Sequence, residues 1–489
     1  MGNGIYPTFS ISMTSMKKLF LLTELLFLGS LLVAQPGQQQ KIDSVCALIK
    51  IYFNAKNPEK IYDLTGEAFR KEISAEVFQH IFQQNLLPLG ELKNTAFENH
   101  KDGVSSYKAD FGTIALSLLV SLDEKDKIKL FLFKPYTDQT ERKNFRAPTN
   151  NPLSTPLDKE VDSAVQSYIS LRATVGLSIG VLKDGKQFFY GYGETVKGNK
   201  QIPDQRTIFE IGSLSKTFTS ILLADAVNRG KIKLDDPVNL YLPDSIPGLQ
   251  YEGTPITIKT LANHSSGIPY MPSNFHSARN SDPYIDYDDR DLFAFYRDFK
   301  PVRKPGEKYE YSNLAVGTLG VILERINKET YEELFTRIIC KPLGMHDTKQ
   351  YLSPVDSLRF ARGYNDEGNY AAPWNFKALG AAGCIRSTSA DLLKYAEANL
   401  GNAKGALLKD IGLTHDLTFS DGNTRVGLGW HLIRPGKDDL LFHNGQTGGY
   451  HTYLAINTDK KFALVILSNC AKETEDTGAA IMKWAETNE

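Results

Sequence analysis

From residue 38 onward, apolar positions fall into runs whose period changes along the chain. Ile42, Val45, Ile49 and Tyr52 recur at helical spacing, and a second helix is predicted over 75–84. Apolar or alternating runs at 114–122 and 128–133 read as strands joined by Asp123-Glu124-Lys125-Asp126. Residues 38–136 are therefore expected to form a small α+β domain. A polar stretch with Pro148, Pro152 and Pro156 marks 137–156 as a linker. A helix over 157–172 leads into apolar runs at 175–182 and 187–192. Asp184-Gly185 between those runs predicts a hairpin. A second hairpin is predicted over 450–456 and 462–467, with its turn at 457–460 and a final helix over 473–486. Strands at both ends with helical patterns between them predict an α+β fold over 157–487. In it, one antiparallel sheet is flanked by helices and carries a helical insertion.

Composition narrows the function classes. The 489 residues carry a formal net charge of −1, with 23% charged and 41% hydrophobic residues, as in ordinary soluble domains. Charges of both signs are mixed along the chain, which argues against a basic face for nucleic acid or membrane surfaces. The N-terminus departs from this pattern. Lys17 and Lys18 precede an apolar stretch over 19–34 that ends on Ala34, which reads as a secretory signal over 1–34. The mature chain is thus expected to be exported, to the periplasm or outside a bacterium, without a stable membrane span. Cys46, Cys340, Cys384 and Cys470 lie far apart, and their spacing leaves their disulfide state open. The nine histidines form no His-x-His or His-Glu-x-x-His pattern, so no metal site and no cofactor is expected.

The chemistry concentrates in 209–219, Phe-Glu-Ile-Gly-Ser-Leu-Ser-Lys-Thr-Phe-Thr. Ser213 stands three positions before Lys216, a spacing that places both side chains on one helix face. Phe218, Ile221, Leu222, Ala226 and Val227 predict that this helix is buried, ending at Gly230. A desolvated lysine beside a hydroxyl can activate a serine nucleophile. Alone, Ser-x-x-Lys is equally compatible with an exposed helix start capped by Ser213.

Two further elements bear on that choice. Tyr311-Ser312-Asn313 follows a turn at Pro305-Gly306-Glu307 and precedes the helical pattern Leu314, Val316, Leu319, Ile322, Ile326. It therefore sits at a loop-to-helix junction, where Tyr311 could move protons and Asn313 could bind an amide. His443-Asn444-Gly445-Gln446 opens the late hairpin, and glycine in a strand allows another backbone or a ligand to approach closely. In isolation, each also reads as a packed tyrosine beside a cap, or a Gly-rich bend beside a structural histidine.

Together and in this order, the three elements resemble the serine β-lactamase and penicillin-binding superfamily. Within it they resemble the branch of class C β-lactamases, D-alanyl-D-alanine carboxypeptidases and related esterases. Further similar stretches are 261–269, 341–348, Gly380-Ala381-Ala382-Gly383 and Gly427-Leu428-Gly429-Trp430, so the resemblance spans about 157–487. Residues 38–136 resemble, more loosely, small nuclear-transport-factor-like domains, which serve assembly or surface binding more often than chemistry.

The superfamily resemblance implies a β-lactamase/transpeptidase-like fold and an acyl-enzyme mechanism. Ser213 would be the nucleophile and Lys216 its base or proton relay. Tyr311 would help deprotonate the nucleophile and protonate the leaving group. Asn313 would contact the substrate amide, and backbone N–H groups of Ser213 and Gln446 would form the oxyanion hole. Asp235, Asp236 and His264 match positions read as structural. His443, Gly445 and Gln446 fall on the substrate-binding strand. There the class C enzymes usually carry Lys-Thr-Gly, so a fixed charge and a hydroxyl donor are replaced by His443 and Asn444. The expected activity is a serine hydrolase cleaving an amide, either a D-amino-acid peptide or a β-lactam. An esterase with the same machinery is the first alternative, and a non-catalytic penicillin- or peptidoglycan-binding receptor the second. The substrate partner is a small molecule or peptide, and the oligomeric state stays open.

Overall fold

The computed structural model describes residues 36–487 except 102, 113, 137–144, 278, 280, 423 and 434–439. The expected leader over 1–34 and the 137–144 part of the expected linker lie outside the described residues. The chain divides into two compact units, Met1–Gln139 and Thr140–Glu489.

In the first unit, α1 (Pro36–Asn54) and shorter helices precede four strands, β1 (Asn94–Lys101), β2 (Val104–Asp110), β3 (Ala115–Leu122) and β4 (Ile128–Pro135). The strands form an antiparallel meander in chain order. The buried face of α1 is Ile42, Cys46, Ile49 and Phe53, whereas Val45 and Tyr52 are only partly buried beside it. The face is turned by one residue from the expected stripe because Phe53 inserts among Phe82, Phe111 and Phe133 at centroid distances of 5.1, 5.5 and 6.3 Å. Such edge-to-face ring packing outweighs the choice between adjacent aliphatic positions. The helix expected over 75–84 is an α-helix over Ala75–Ile81 that continues as a π-turn over Phe82–Leu86.

The second unit is built on an eight-stranded antiparallel sheet. In chain order its strands are β5 (Gly176–Lys183), β6 (Lys186–Gly193), β7 (Phe419–Ser420), β8 (Arg425–Val426), β9 (His431–Ile433), β10 (Leu440–Gln446), β11 (His451–Asn457) and β12 (Phe462–Ser468). Their order across the sheet is β7-β8-β9-β10-β11-β12-β5-β6. Asp184 and Gly185 form the β5–β6 turn with φ of 51° and 70°. Positive φ at both central residues matches the right-handed twist of the strands.

Period-2 alternation then sorts the sheet's two faces. Leu177, Ile179 and Val181 of β5 and Leu464 and Ile466 of β12 pack against α2 (Pro156–Ile169) and a C-terminal helix over Glu475–Thr487. Leu182, Ala463, Val465 and Leu467 face the larger helical core. Covering both faces explains why β5 and β12 read as nearly continuous apolar runs. Within that helical core lies α3 (Ser215–Asn228), which is buried nearly all round from Ser215 to Ala226. Also within it is α4 (Asn313–Asn327), whose N-cap Ser312 accepts from the Ala315 N–H. Antiparallel sheet plus helices gives the expected α+β class.

Candidate active site

The segment before Ser213 is fixed on both sides. Phe209–Glu210 pairs with Arg386–Ser387 as a short antiparallel ladder. Gly212 then takes φ +51°, and a Cβ there would lie 2.8 Å from the Gln446 nitrogen. A single 3₁₀ turn, Gly212–Leu214, precedes α3. Ser213 therefore stands just ahead of the α-helix, partly exposed, while Lys216 in its first turn is completely buried. Ser213 occupies neither N-cap position, which falls to Ile211 for the 3₁₀ turn and Leu214 for α3, so the motif is not a helix start capped by Ser213.

Lys216 Nζ lies 2.9 Å from Ser213 Oγ and donates to the Ala382 carbonyl at 2.7 Å. It also sits 4.8 Å from the centroid of the Tyr311 ring. Burial pulls its pKa well below 10.5. Burial thus disfavours the charged ammonium and favours the free amine beside Ser213.

Tyr311 is placed by the start of α4. Ser312 N–H donates to His264 Nδ1 at 3.1 Å, and Ser312 Oγ donates to the Pro269 carbonyl at 2.7 Å. Because Nδ1 accepts, the neutral His264 ring carries its proton on Nε2. That ring stacks on Tyr311 at 4.3 Å. Burial pushes the Tyr311 phenol well above 10, only partly offset by its hydrogen bond with Ser213. Burial thus favours the free amine of Lys216 and the protonated phenol of Tyr311 around one serine. Asn313, two residues after Tyr311, is buried, and its Oδ1 has no partner among the described residues.

The third wall is β10. A Cβ on Gly445 would lie 2.0 Å from the Ile211 carbonyl oxygen and 2.9 Å from the Ser213 nitrogen, so the strand lies flat against the nucleophile turn. Gln446 follows with an exposed side chain whose amide donates to the Ala471 carbonyl at 2.9 Å. His443 is buried on the same strand. Its Nδ1 donates to the Asn444 carbonyl at 2.6 Å, and its Nε2 has no partner. Burial, then the neighbouring His431 and Lys216, hold its pKa well below 6.5.

His443 is therefore a neutral acceptor at neutral pH and does not supply the partial positive charge expected of an exposed histidine. Asn444 also departs from the reading that put it in place of a substrate-facing hydroxyl. Strand alternation turns it away, and its amide donates to Glu475 at 2.6 Å.

The structure thus brings Ser213, Lys216, Tyr311, Asn313, His443, Gly445 and Gln446 together around one cleft wall. It adds residues that the sequence reading did not single out. His431 carries a 2.9 Å hydrogen bond between Nε2 and the Tyr309 hydroxyl and stands 5.4 Å from His443 between ring centroids. Ala382 lies in the Gly380-Ala381-Ala382-Gly383 stretch already noted, but its part here, a carbonyl facing Lys216, was not read from it. Arg386 and Glu210 form a buried ion pair at 3.2 Å three residues before Ser213. His264, read as structural, proves to hold both Tyr311 and Ser312. All four cysteines are free and buried. Among the described residues, no group of three or more His, Cys, Asp or Glu gathers to hold a metal, and no helix is long and apolar enough to cross a membrane.

Known proteins are similar to the second unit in sequence and fold. The family described as Beta-lactamase matches residues 161–489. A beta-lactamase of Pseudomonas fluorescens is 28% identical over 340 residues, spanning 63% of this chain and 92% of that protein. The D-alanyl-D-alanine-carboxypeptidase/endopeptidase AmpH of Escherichia coli (strain K12) is 28% identical over 311 residues, spanning 60% of this chain and 78% of the relative. Among solved structures, a class C beta lactamase superposes with TM-score 0.60 and 25% identity over 68% of this chain and 98% of its own. The beta-lactamase/D-alanine carboxypeptidase of Pseudomonas syringae does so with TM-score 0.60 and 24% identity over 67% and 99%.

Proposed function

The chain belongs to the beta-lactamase family, and from that premise we propose that it is an exported serine hydrolase that cleaves an amide through an acyl-enzyme on Ser213. The observation that carries this reading is the buried Lys216 amine 2.9 Å from Ser213 Oγ, held there by the Ala382 carbonyl.

Neutral Lys216 accepts the hydroxyl proton as Ser213 Oγ attacks the substrate carbonyl carbon. The developing oxyanion is held by the N–H groups of Ser213 and Gln446, which the close approach at Gly212 and Gly445 brings side by side. Tyr311, protonated at neutral pH, passes a proton to the leaving nitrogen and is recharged from Lys216. The unpartnered Asn313 Oδ1 accepts from a substrate amide N–H. Water then releases the acyl group by the reverse proton path.

Amide substrates are supported by the relatives' names, a beta-lactamase and a D-alanyl-D-alanine-carboxypeptidase/endopeptidase. The substrate is expected to be a β-lactam or a D-amino-acid peptide. Export is supported by the basic and apolar stretch before residue 35. All the residues of this chemistry lie in the second unit.

An esterase remains the second reading, and one observation favours it. Neutral His443 offers no fixed positive charge to a substrate carboxylate. A non-catalytic receptor is disfavoured by the packed Ser213, Lys216 and Tyr311.

Intact-protein mass after mixing with benzylpenicillin, beside a Ser213→Ala control, tests these readings. A persistent adduct confined to the Ser213 protein indicates a penicillin-binding peptidase with slow deacylation. Penicillin consumed without an adduct, and spared by the control, indicates a β-lactamase. Intact penicillin with no adduct shifts the assignment to the esterase, to be assayed with short-chain aryl esters. Inertness toward both substrates refutes the acyl-enzyme reading.

A further inference from the structure

A cavity of about 600 Å³ has none of Ser213, Lys216, Tyr311 or His443 in its walls. It is bounded by the loop between β6 and Phe209, by the segment 357–363, and by Tyr370 and Tyr450. Arg206, Arg359 and Arg362 line it against a single carboxylate, Asp204.

The charges are unequally committed. Arg359 is spent on Asp347 at 2.8 and 2.6 Å and on Asp356 at 3.0 Å. Asp204 is spent on its own turn, accepting from the Arg206 N–H at 2.9 Å and the Thr207 hydroxyl at 3.0 Å. Arg206 and Arg362 pair with no carboxylate among the described residues. Arg362 instead lies 5.5 Å over the ring of Tyr370, which is 63% exposed. Leu358, 83% exposed, and Phe360 supply apolar surface in the same wall. Tyr450 ties that wall to the segment following β10, its hydroxyl donating to the Ala361 carbonyl at 2.5 Å.

Arg206 acts on Asp347 only at a distance, so two exposed guanidinium groups without a direct ion pair line one concavity and give it a positive potential. Their planar donor forks match the oxygens of carboxylates and phosphates. Exposed aromatic and apolar side chains beside a few fixed polar groups are the ordinary lining of a small-molecule site. We propose that this cavity binds a small organic anion, its carboxylate or phosphate held by Arg206 and Arg362 and its apolar body lying on Tyr370 and Phe360. The site is separate from the acyl site, so its occupant need not be a substrate of Ser213.

Calorimetric titration of the full chain with phenyl phosphate, benzoate and inorganic phosphate tests this. At least one of the two aromatic anions is expected to bind saturably at one site, more weakly as salt rises. Benzoate binding as well as phenyl phosphate assigns a carboxylate occupant. Binding of phenyl phosphate and inorganic phosphate without benzoate assigns a phosphate. The Arg206→Ala/Arg362→Ala variant is expected to weaken binding at least about tenfold, since two charge-assisted contacts are lost. The Ser213→Ala variant is expected to bind as the parent does, and the double variant to keep the parent's turnover at Ser213. Where the double variant melts lower than the parent, single Arg206→Gln and Arg362→Gln variants replace it, each weakening binding about threefold or more. The proposal is overturned by the absence of saturable binding of all three probes, by parent-like affinity in the arginine variants, or by loss of binding in Ser213→Ala.

Discussion

Gly445→Ala isolates the contact on which the oxyanion reading depends. The added methyl carbon would stand 2.0 Å from the Ile211 carbonyl oxygen, 2.7 Å from Thr452 Oγ1 and 2.9 Å from the Ser213 nitrogen. Ordinary C···O contacts begin near about 3.3 Å. Strand β10 or the nucleophile turn must therefore retreat by roughly 1.3 Å, the difference between that contact and the 2.0 Å approach. Neither flank yields easily. Ile211 O already accepts from Thr452 Oγ1 at 3.0 Å, and β10 is paired with β11 along its whole length.

A displacement of this size moves the Gln446 N–H away from the Ser213 N–H. Misplacing a catalytic group by about 1 Å costs about 10²-fold, and losing one oxyanion donor about 10²–10³-fold. Acylation by the variant, followed with an aryl ester or a chromogenic cephalosporin, is expected to fall by about 10²–10³ in kcat/KM. Its melting transition should remain cooperative, with a stability loss of about 1–3 kcal/mol from overpacking. A folded Gly445→Ala protein within about threefold of the parent's kcat/KM would falsify the assignment of Gln446 to the oxyanion hole.

Other consequences are separately measurable. Lys216→Met is expected to slow acylation by about 10²–10⁴ and yet to raise Tm at pH 7. The buried amine's folded pKa lies below its unfolded value of 10.5, so the unfolded chain binds the extra proton and Lys216 costs stability below that pH. The gain in Tm should shrink as pH rises toward 10.5, and a gain that grows with pH contradicts a neutral Lys216. For the same reason acylation by the parent should lose rate only as acid protonates Lys216, well below 10.5. A requirement for pH near 10 would count against the lysine as base. Arg386→Ala leaves the buried Glu210 carboxylate unpaired and should cost about 3–5 kcal/mol in denaturant unfolding; a change under about 1 kcal/mol would show that the pair is dispensable. His264→Ala removes the acceptor of Ser312 N–H and the ring stacked on Tyr311, so kcat should drop with a stability loss of about 1–3 kcal/mol. Parent-like kcat in that variant would limit His264 to a packing role.

Much of the scaffold was legible because it rests on local rules. Asp184-Gly185 announced its hairpin, and the apolar runs of β5, β11 and β12 announced strands. The residues before Ala315 announced a helix start, although Ser312 rather than Asn313 supplies the cap. Legibility failed where packing chose between neighbours. Periodicity alone could not turn α1 to present Cys46 and Phe53, because that depends on aromatic partners far away in sequence. His431 reaches the site from a distant segment and leaves no local pattern, and the small-residue stretch around Ala382 did not disclose that its carbonyl would meet Lys216.

The sequence by itself therefore settled which reactive groups the chain possesses and the α+β frame that carries them, since hydrophobic period, turn residues and motif spacing act over a few positions. Tertiary structure alone decided their protonation states. Burial lowers the Lys216 pKa, raises that of Tyr311 and keeps His443 neutral, and burial is set by side chains brought in from across the fold. It likewise decided that the side chains of Asn444 and Gln446 turn toward Glu475 and Ala471 while Gly445 lies against Ser213. The pleat of a paired strand gives neighbouring residues opposite faces, and only the packed sheet says which face meets the nucleophile.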